Sequence, residues 1–535
     1  MIFWVARDAG LYPLVFADER TYSLYSRLAP LSQSNVPSYL YLKVFGLTNA
    51  CGEGFYTCAR LGNLLFLAGG LFLVFRVALR VCRPSLALLV GAVAAVDPLA
   101  SLGTYFMPEA MYFFGFWLLA WLLVRGKSLA GLGAASGTTL GALALVKAHA
   151  LFLVPPAALL LLAVALTDAS PARLRRLVVA ALAMASTFGL LRFGLGYLLA
   201  GDAALSLVGT TYGSVATMAT DPGAHKASVA SLAVFSLWGQ SMALLAIFGL
   251  PVLVALHLWP RSAKGPLDSR ERLQLFTAAA LLTLLAVVAV FTASVAGDGT
   301  ETAGRLHLRY YCFLFPALAI VAAAEVERSA MPASTSRQLL RWITAAVIGS
   351  VGLYGAVNGL KGYSLGFADC PEAYGLSRLP GMLLASGIGV AVLCLAWVRW
   401  PRVASLVAVL WLVPVLVVSN TRVNKLLNAS LKPTPWDAAG HAARMYLGDR
   451  LSQLSVLTEY TPGLYRTAFA LDVADVALIT IKPAEPIDPE KLPKGRDWVL
   501  LVGVEGHPLP EGATVAVAQN GFTLFQVHPP QATSP

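Results

Sequence analysis

A bilayer-length rhythm sets the possibilities for this chain. After a short first segment at 1–16, apolar runs fall at about 60–80, 85–100, 105–124, 129–147, 149–167, 174–199, 232–258, 273–296, 306–325, 342–360, 380–398 and 403–420. Each is broken from the next by charged or Gly/Pro punctuation. Runs of this length predict about thirteen spans, and spans in lipid are helices because nothing else satisfies the backbone within one segment. The expected fold class is a polytopic α-helical membrane protein. Composition agrees, with 57% hydrophobic and 13% charged residues against a usual charged share of about 25%. The net charge of +11 is spread in short clusters between the runs rather than gathered on a polar surface, which excludes a nucleic-acid partner.

Those clusters predict orientation. With a cytoplasmic amino terminus, one side receives Arg76, Arg80 and Arg83; Arg125 and Lys127; Arg173, Arg175 and Arg176; Arg261, Lys264, Arg270 and Arg272; Arg328, Arg337 and Arg341; and Arg399 with Arg402. The opposite loops are nearly bare, so the basic side is expected to be cytoplasmic. The first segment is short for a span and carries Arg7 and Asp8. Either it is a short, partly interfacial helix or the native start lies upstream. No signal-peptide cleavage site follows it.

The transmembrane domain is expected at 1–420, with an external loop at 17–59. A carboxyl-terminal extracytoplasmic α/β domain is expected at 421–535. In the latter a helix from Trp436 to Leu447 follows the Pro433-Thr434-Pro435 turn. Short β-like stretches stand at 454–457, 476–481, 498–504 and 523–527. In the former, Val36 to Gly46 reads as an interfacial helix. Cys51 and Cys58 share that loop and form a local disulfide if it faces an oxidising compartment. The glycines from Gly126 to Gly141 are expected to allow close helix packing in lipid.

Chemistry is expected where ionisable groups meet the outer boundary. Asp18 and Glu19 begin the external loop, and on a helix Asp18, Tyr22 and Tyr25 share a face at i, i+4, i+7. Glu109, Lys147, His149, Arg192, Arg305, His307 and Arg309 stand at outer span ends. A lone cation there snorkels to headgroups; a set forms a cationic pocket suited to the phosphate of a long-chain lipid. With Asp18 as general base, such a pocket supports group transfer from a lipid phosphate to a hydroxyl. No Walker loop or Rossmann fingerprint is present.

Asp18-Glu19-Arg20-Thr21-Tyr22 resembles the Asp-Glu-x-x-Tyr signature of the first external loop in polyprenyl-phosphate-sugar glycosyltransferases of the GT-C superfamily, such as aminoarabinose transferases and protein mannosyltransferases. The resemblance continues through Pro37-Ser38-Tyr39-Leu40-Tyr41, Phe45-Gly46 and Ala59-Arg60-Leu61. It runs on through Tyr105-Phe106-Met107-Pro108-Glu109-Ala110 and Arg309-Tyr310-Tyr311 with Pro316. It implies a GT-C-like fold in a bacterial inner membrane, amino terminus cytoplasmic and carboxyl terminus periplasmic. The implied enzyme is an inverting transferase that moves a sugar from a polyprenyl monophosphate to a hydroxyl of a cell-envelope acceptor: lipopolysaccharide, polysaccharide, lipid or protein. Asp18 would be the base, and Glu19 would orient the acceptor or a divalent cation, Mg or Mn, whose presence the resemblance leaves open. Tyr22, Tyr25, Arg60, Glu109, Lys147, His149, Arg192, Arg305, Arg309 and Tyr310 are the expected substrate contacts. The short first segment departs from the family, whose first span is full length. The alternatives are an O-antigen ligase or polymerase acting on a lipid diphosphate-linked glycan, and a transporter or flippase of a lipid-linked substrate.

Overall fold

The structure is a computed structural model. It describes residues 2–14, 16–126, 128–168, 170–209, 226–257, 265–296, 302–328, 335–483, 486–504 and 507–527. Of the basic residues used for orientation, Lys127, Arg261 and Lys264 lie outside them.

The protein is a multi-pass helical membrane protein with a small sheet at its carboxyl end. Eight helices among the described residues are long and apolar enough to cross a membrane. The shorter apolar helices Pro84–Val96, Leu129–Ala144 and Cys312–Val326 join them, as does Glu109–Arg125. Every apolar run after the first is therefore met by a helix. The first is not: Ile2–Asp8 has seven residues, a rise of about 10 Å against a hydrocarbon core of about 30 Å. Its Arg7 and Asp8 are buried and paired at 2.6 Å, and Arg7 also donates to Thr104 at 3.0 Å, which anchors the segment beside the span ends.

The turns that charge assigned to one side do meet at one end of the bundle. Glu327 pairs with Arg270 at 2.6 Å and lies 3.8 Å from Arg83; Arg402 donates to the Arg328 carbonyl and Arg272 to that of Gly126. At the other end lie the loop 17–59 and the carboxyl-terminal module. The expected glycine packing is also present. Cβ atoms on Gly133, Gly137 and Gly141 would sit 2.1, 2.1 and 2.7 Å from the carbonyl oxygens of Ala180, Met184 and Phe188. The helices Leu129–Ala144 and Arg173–Gly189 therefore touch along a small-residue seam.

Two expected elements differ. The run 306–325 is helical only from Phe315 to Val326. Before it, residues 304–309 zip against 364–369 through Ser364 N to Gly304 O, Leu306 N to Ser364 O and Arg309 N to Asp369 O, irregular backbone that membrane depth tolerates when protein covers it. The interfacial helix is Tyr39–Phe45, but Tyr39, Tyr41, Leu42 and Phe45 are buried, and the Leu40 amide donates to the Leu145 carbonyl. It is wedged into the bundle rather than laid on the lipid surface.

The helix Pro401–Ala429 passes through position 420. Beyond it, Pro435–Leu447 begins at a capping box of Thr434 and Asp437, which satisfies two orphan amide donors. Strands β1 (Leu454–Thr458), β2 (Ala477–Thr480), β3 (Trp498–Val502), β4 (Thr514–Gln519) and β5 (Phe522–Gln526) form one sheet in the order β2-β1-β3-β5-β4. β1 pairs in parallel with β2 and β3, and the last three strands are antiparallel. The helix Thr461–Leu471 crosses between β1 and β2 and shares one apolar core with Pro435–Leu447. Buried Arg466 clamps the two helices through Asp437 at 2.6 to 3.0 Å. β4 is the one strand that the sequence reading lacked.

Between the spans, a buried carboxyl pair joins the loop at Asp97 to the helix Pro371–Ser377. Burial, with the two carboxyls set against each other, pushes both Asp97 and Glu372 above the usual carboxylate range, so between them the pair keeps a proton to higher pH than free carboxyls do. An acid whose folded pKa is raised gives its full stability below the unfolded value, about 4, and loses it as pH rises through the folded value. Glu372→Gln mimics the protonated acid, so its melting temperature relative to wild type should be higher at pH 8 than at pH 5. Parallel pH responses in the two proteins would rule out the shared proton.

Candidate active site

The site is built around one guanidinium. Arg309 stands in a 3-10 turn whose amide is fixed by the Asp369 carbonyl at 2.7 Å, and its side chain is 10% exposed. Its Nη1 lies 3.1 Å from Asp18 Oδ2 and its Nε 3.2 Å from Asp369 Oδ1. Asp369 also takes Arg305 at 2.8 Å and lies 3.6 Å from His307 Nδ1. Burial alone would raise the Asp369 carboxyl. Arg309, a His307 hydrogen bond and Arg305 outweigh it and hold the group below the usual carboxylate range.

A second pair lies alongside. Lys147 Nζ contacts Glu109 Oε1 at 2.8 Å, both side chains 5% exposed. Glu109 opens its helix directly after Pro108. Tyr310 joins the pairs: its ring stacks on His149 at 4.3 Å, lies 4.9 Å from Lys147 Nζ, and its hydroxyl accepts from Arg309 at 3.3 Å. Glu109, Lys147, His149, Arg309 and Tyr310 line one small cavity with Tyr112 and Phe113. The ion set is balanced, with Lys147, Arg305 and Arg309 against Asp18, Glu109 and Asp369.

Asp18 and Glu19 have different environments although they are neighbours. Asp18 keeps 39% of its side chain exposed. Glu19 is fully buried, accepting from the Leu14 amide at 2.7 Å, the Phe106 amide at 3.0 Å and the Tyr56 hydroxyl. These carboxylates do not fit a divalent cation. One faces a guanidinium, the other is taken by amide and phenol donors, and the described residues contain no group of three His, Cys, Asp or Glu side chains able to hold an ion.

The expected wall of Asp18, Tyr22 and Tyr25 does not form: Asp18 and Tyr22 stay one turn apart on the α-helix Phe16–Ser23, but Tyr25 leaves that face where the backbone widens into π turns over Leu24–Leu28. Tyr22 is instead buried edge-on against Tyr41 at 5.5 Å, and Tyr25 packs in the π turn. Two expected phosphate contacts are also placed elsewhere. Arg60 donates to the carbonyls of Thr104, Asp8 and Leu11 at 2.8 to 3.0 Å. Arg192 donates to those of Ala204, Ser206 and Leu207 at 2.6 to 2.9 Å. Both serve the backbone. Asp369 and Tyr56 are the residues that sequence reasoning missed; the signal for Asp369 was an acid between two apolar runs, set against the basic Arg305, His307 and Arg309.

Cys51 and Cys58 are bridged. Their loop is fastened to the carboxyl-terminal module, with Arg27 bidentate on Asp472 at 2.8 and 2.9 Å and Arg20 donating to the Val473 carbonyl at 2.7 Å. Between loop and module lies a cavity of about 530 Å³ walled by Tyr12, Phe55, Tyr56 and Phe469, with Glu53, His441 and Arg444 at its charged side.

No protein-family model matches this chain, and no curated protein does. It is similar to two solved structures of ArnT from Cupriavidus metallidurans. The apo state is 13% identical, with 98% of this chain and 95% of that one covered and a TM-score of 0.48. The form bound to undecaprenyl phosphate is 15% identical, with 98% and 96% covered and a TM-score of 0.49. At these values the likeness assigns no residue a role, and what the site does rests on its own side chains.

Arg60→Ala should lower the unfolding free energy by about 3 kcal/mol, three net hydrogen bonds at about 1 kcal/mol each, read by denaturant or thermal melting in detergent. An unchanged melting curve would show those three bonds to be idle.

Proposed function

We propose that this protein is a GT-C-type glycosyltransferase that moves a sugar from a polyprenyl monophosphate to a hydroxyl of a cell-envelope acceptor on the outer face of the membrane. The observation that carries the proposal is Arg309, one buried guanidinium that touches the exposed carboxylate Asp18 and the carboxylate Asp369 it shares with Arg305, and that lines one cavity with Lys147.

The acceptor oxygen attacks the anomeric carbon from the face opposite the phosphate, the carbon–oxygen bond to phosphate breaks, and Asp18 takes the hydroxyl proton. Inversion follows from this single displacement. The donor is a phosphodiester with one negative charge, and the departing monoester gains another. In the same step the proton on Asp18 cancels the negative charge that Arg309 had been facing. Arg309's positive charge is thereby released toward the phosphate as the phosphate needs it, a stabilisation that strengthens only along the reaction. Lys147, fixed over the Tyr310 ring, adds a second cation. Glu19 is a positioning residue here: its three donors lock the short helix that presents Asp18. The cavity of about 530 Å³ is walled by Tyr56, whose hydroxyl bonds Glu19 next to Asp18, and is our candidate for the acceptor's seat.

Asp18→Asn should slow transfer by about 10² to 10⁴-fold while the protein stays folded, because Asp369 still pairs with Arg309. The measurement is transfer of label from radiolabelled polyprenyl-phosphate sugars to crude envelope acceptors by purified protein. Undiminished turnover in the variant would remove Asp18 as base. Consumption of diphosphate-linked glycan with no monophosphate donor active would favour a ligase instead.

A further inference from the structure

The basic end of the bundle holds a feature that the transfer reaction does not use. The end of the helix Phe55–Val81, the start of Pro84–Val96, the start of Ser269–Val295 and the end of Phe315–Val326 enclose an open cleft of about 630 Å³ lined by Arg80, Arg83, Arg270 and Glu327 with Val81, Cys82 and Val326. Glu327 accepts from Arg270 at 2.6 Å and from the Arg83 amide at 2.7 Å, so one carboxylate fixes the cleft's geometry. Three guanidiniums against that one carboxylate leave a surplus of two positive charges. Arg80 makes no ion pair among the described residues.

The surface leading to the cleft is apolar. On the helix Phe55–Val81, Phe72, Arg76 and Leu79 fall on one face at i, i+4, i+7. Phe72 is 58% exposed and Leu79 37%, and Leu88 on the next helix is 62% exposed. The Arg76 guanidinium lies 5.8 Å over the Phe72 ring. A soluble anion would use only the arginines. A phospholipid uses both parts, its phosphate among the guanidiniums and its acyl chains along the exposed apolar face.

We infer that this cleft is a binding site for an anionic phospholipid with a phosphodiester headgroup, on the leaflet opposite the active site. Its recognition rests on positive charge held at headgroup level.

The test uses the full-length protein in neutral detergent, titrated with phosphatidylglycerol, phosphatidylcholine or inorganic phosphate while thermal melting is followed. Phosphatidylglycerol should raise the melting temperature saturably, with phosphatidylcholine and inorganic phosphate far weaker. In Arg80→Gln/Arg83→Gln, the apparent affinity for phosphatidylglycerol should fall about 30-fold, from two juxtamembrane charges at about 1 kcal/mol each. Its melting curve without added lipid should match wild type, and Arg80→Lys should keep most of the affinity. Arg399→Gln, at the same end on another helix, should leave the affinity unchanged. Equal protection by phosphatidylcholine, equal protection by inorganic phosphate, or an equal loss in Arg399→Gln would each overturn the site.

Discussion

A buried guanidinium cannot shed its charge, so wherever the chain puts one it must also bring partners. Arg309 is such a group, and the end of the bundle that carries the loop 17–59 is arranged to satisfy it. Asp18 comes from the first loop and Asp369 from a loop more than three hundred residues later; both reach the same side chain. The backbone follows the charge. A helix continued upward from Phe315 would leave no loop to carry the Arg305, His307 and Arg309 side chains toward Asp369, and residues 304–309 instead run against 364–369, held by main-chain hydrogen bonds. The cost of irregular backbone at this depth is met by those bonds and by burial within protein. Tyr310 then lands between His149, Arg309 and Lys147, which ties a third segment, 147–149, to the same centre.

What was legible in the sequence is what one-dimensional periodicity and charge record. The apolar runs, the basic side, the glycine seam from Gly133 to Gly141 and the helix begun at Thr434-Pro435 are local properties, and the structure has all of them. Glu109 and Lys147 were legible singly, as ionisable residues beside apolar runs, but not as each other's partner. Roles of individual cations were not. Arg60, Arg192 and Arg309 look alike as basic residues at span ends; what separates them is whether carbonyls or carboxylates surround the guanidinium, which only packing decides. The face of Asp18, Tyr22 and Tyr25 failed because a π turn adds a residue per turn, and nothing in Leu24-Tyr25-Ser26-Arg27-Leu28 announces it. β4 escaped because Thr514–Gln519 is a largely exposed edge strand, with no buried face to write a pattern.

The helix Phe16–Ser23 shows how much of the outer architecture eight residues govern. At about 100° per residue, three successive side chains must point in three directions, and Asp18, Glu19 and Arg20 each meet a different body. Asp18 goes to Arg309. Glu19 goes to the Phe106 amide and to Tyr56 at the start of a span, and Arg20 to the Val473 carbonyl of the carboxyl-terminal module. Burial pushes the Arg20 guanidinium down to about 10, against an opposing pull from Asp472, so it stays charged at neutral pH and its hydrogen bond to the module is charge-assisted. Two turns later Arg27 reaches Asp472, a non-glycine residue held at φ 53 where the helix Thr461–Leu471 ends. The module is thus fastened to the same segment that presents Asp18. A shift of the carboxyl-terminal module would pull on Arg20 and Arg27, and through a helix of two turns on the carboxylate that faces Arg309. The position of that module and the aim of Asp18 are mechanically linked.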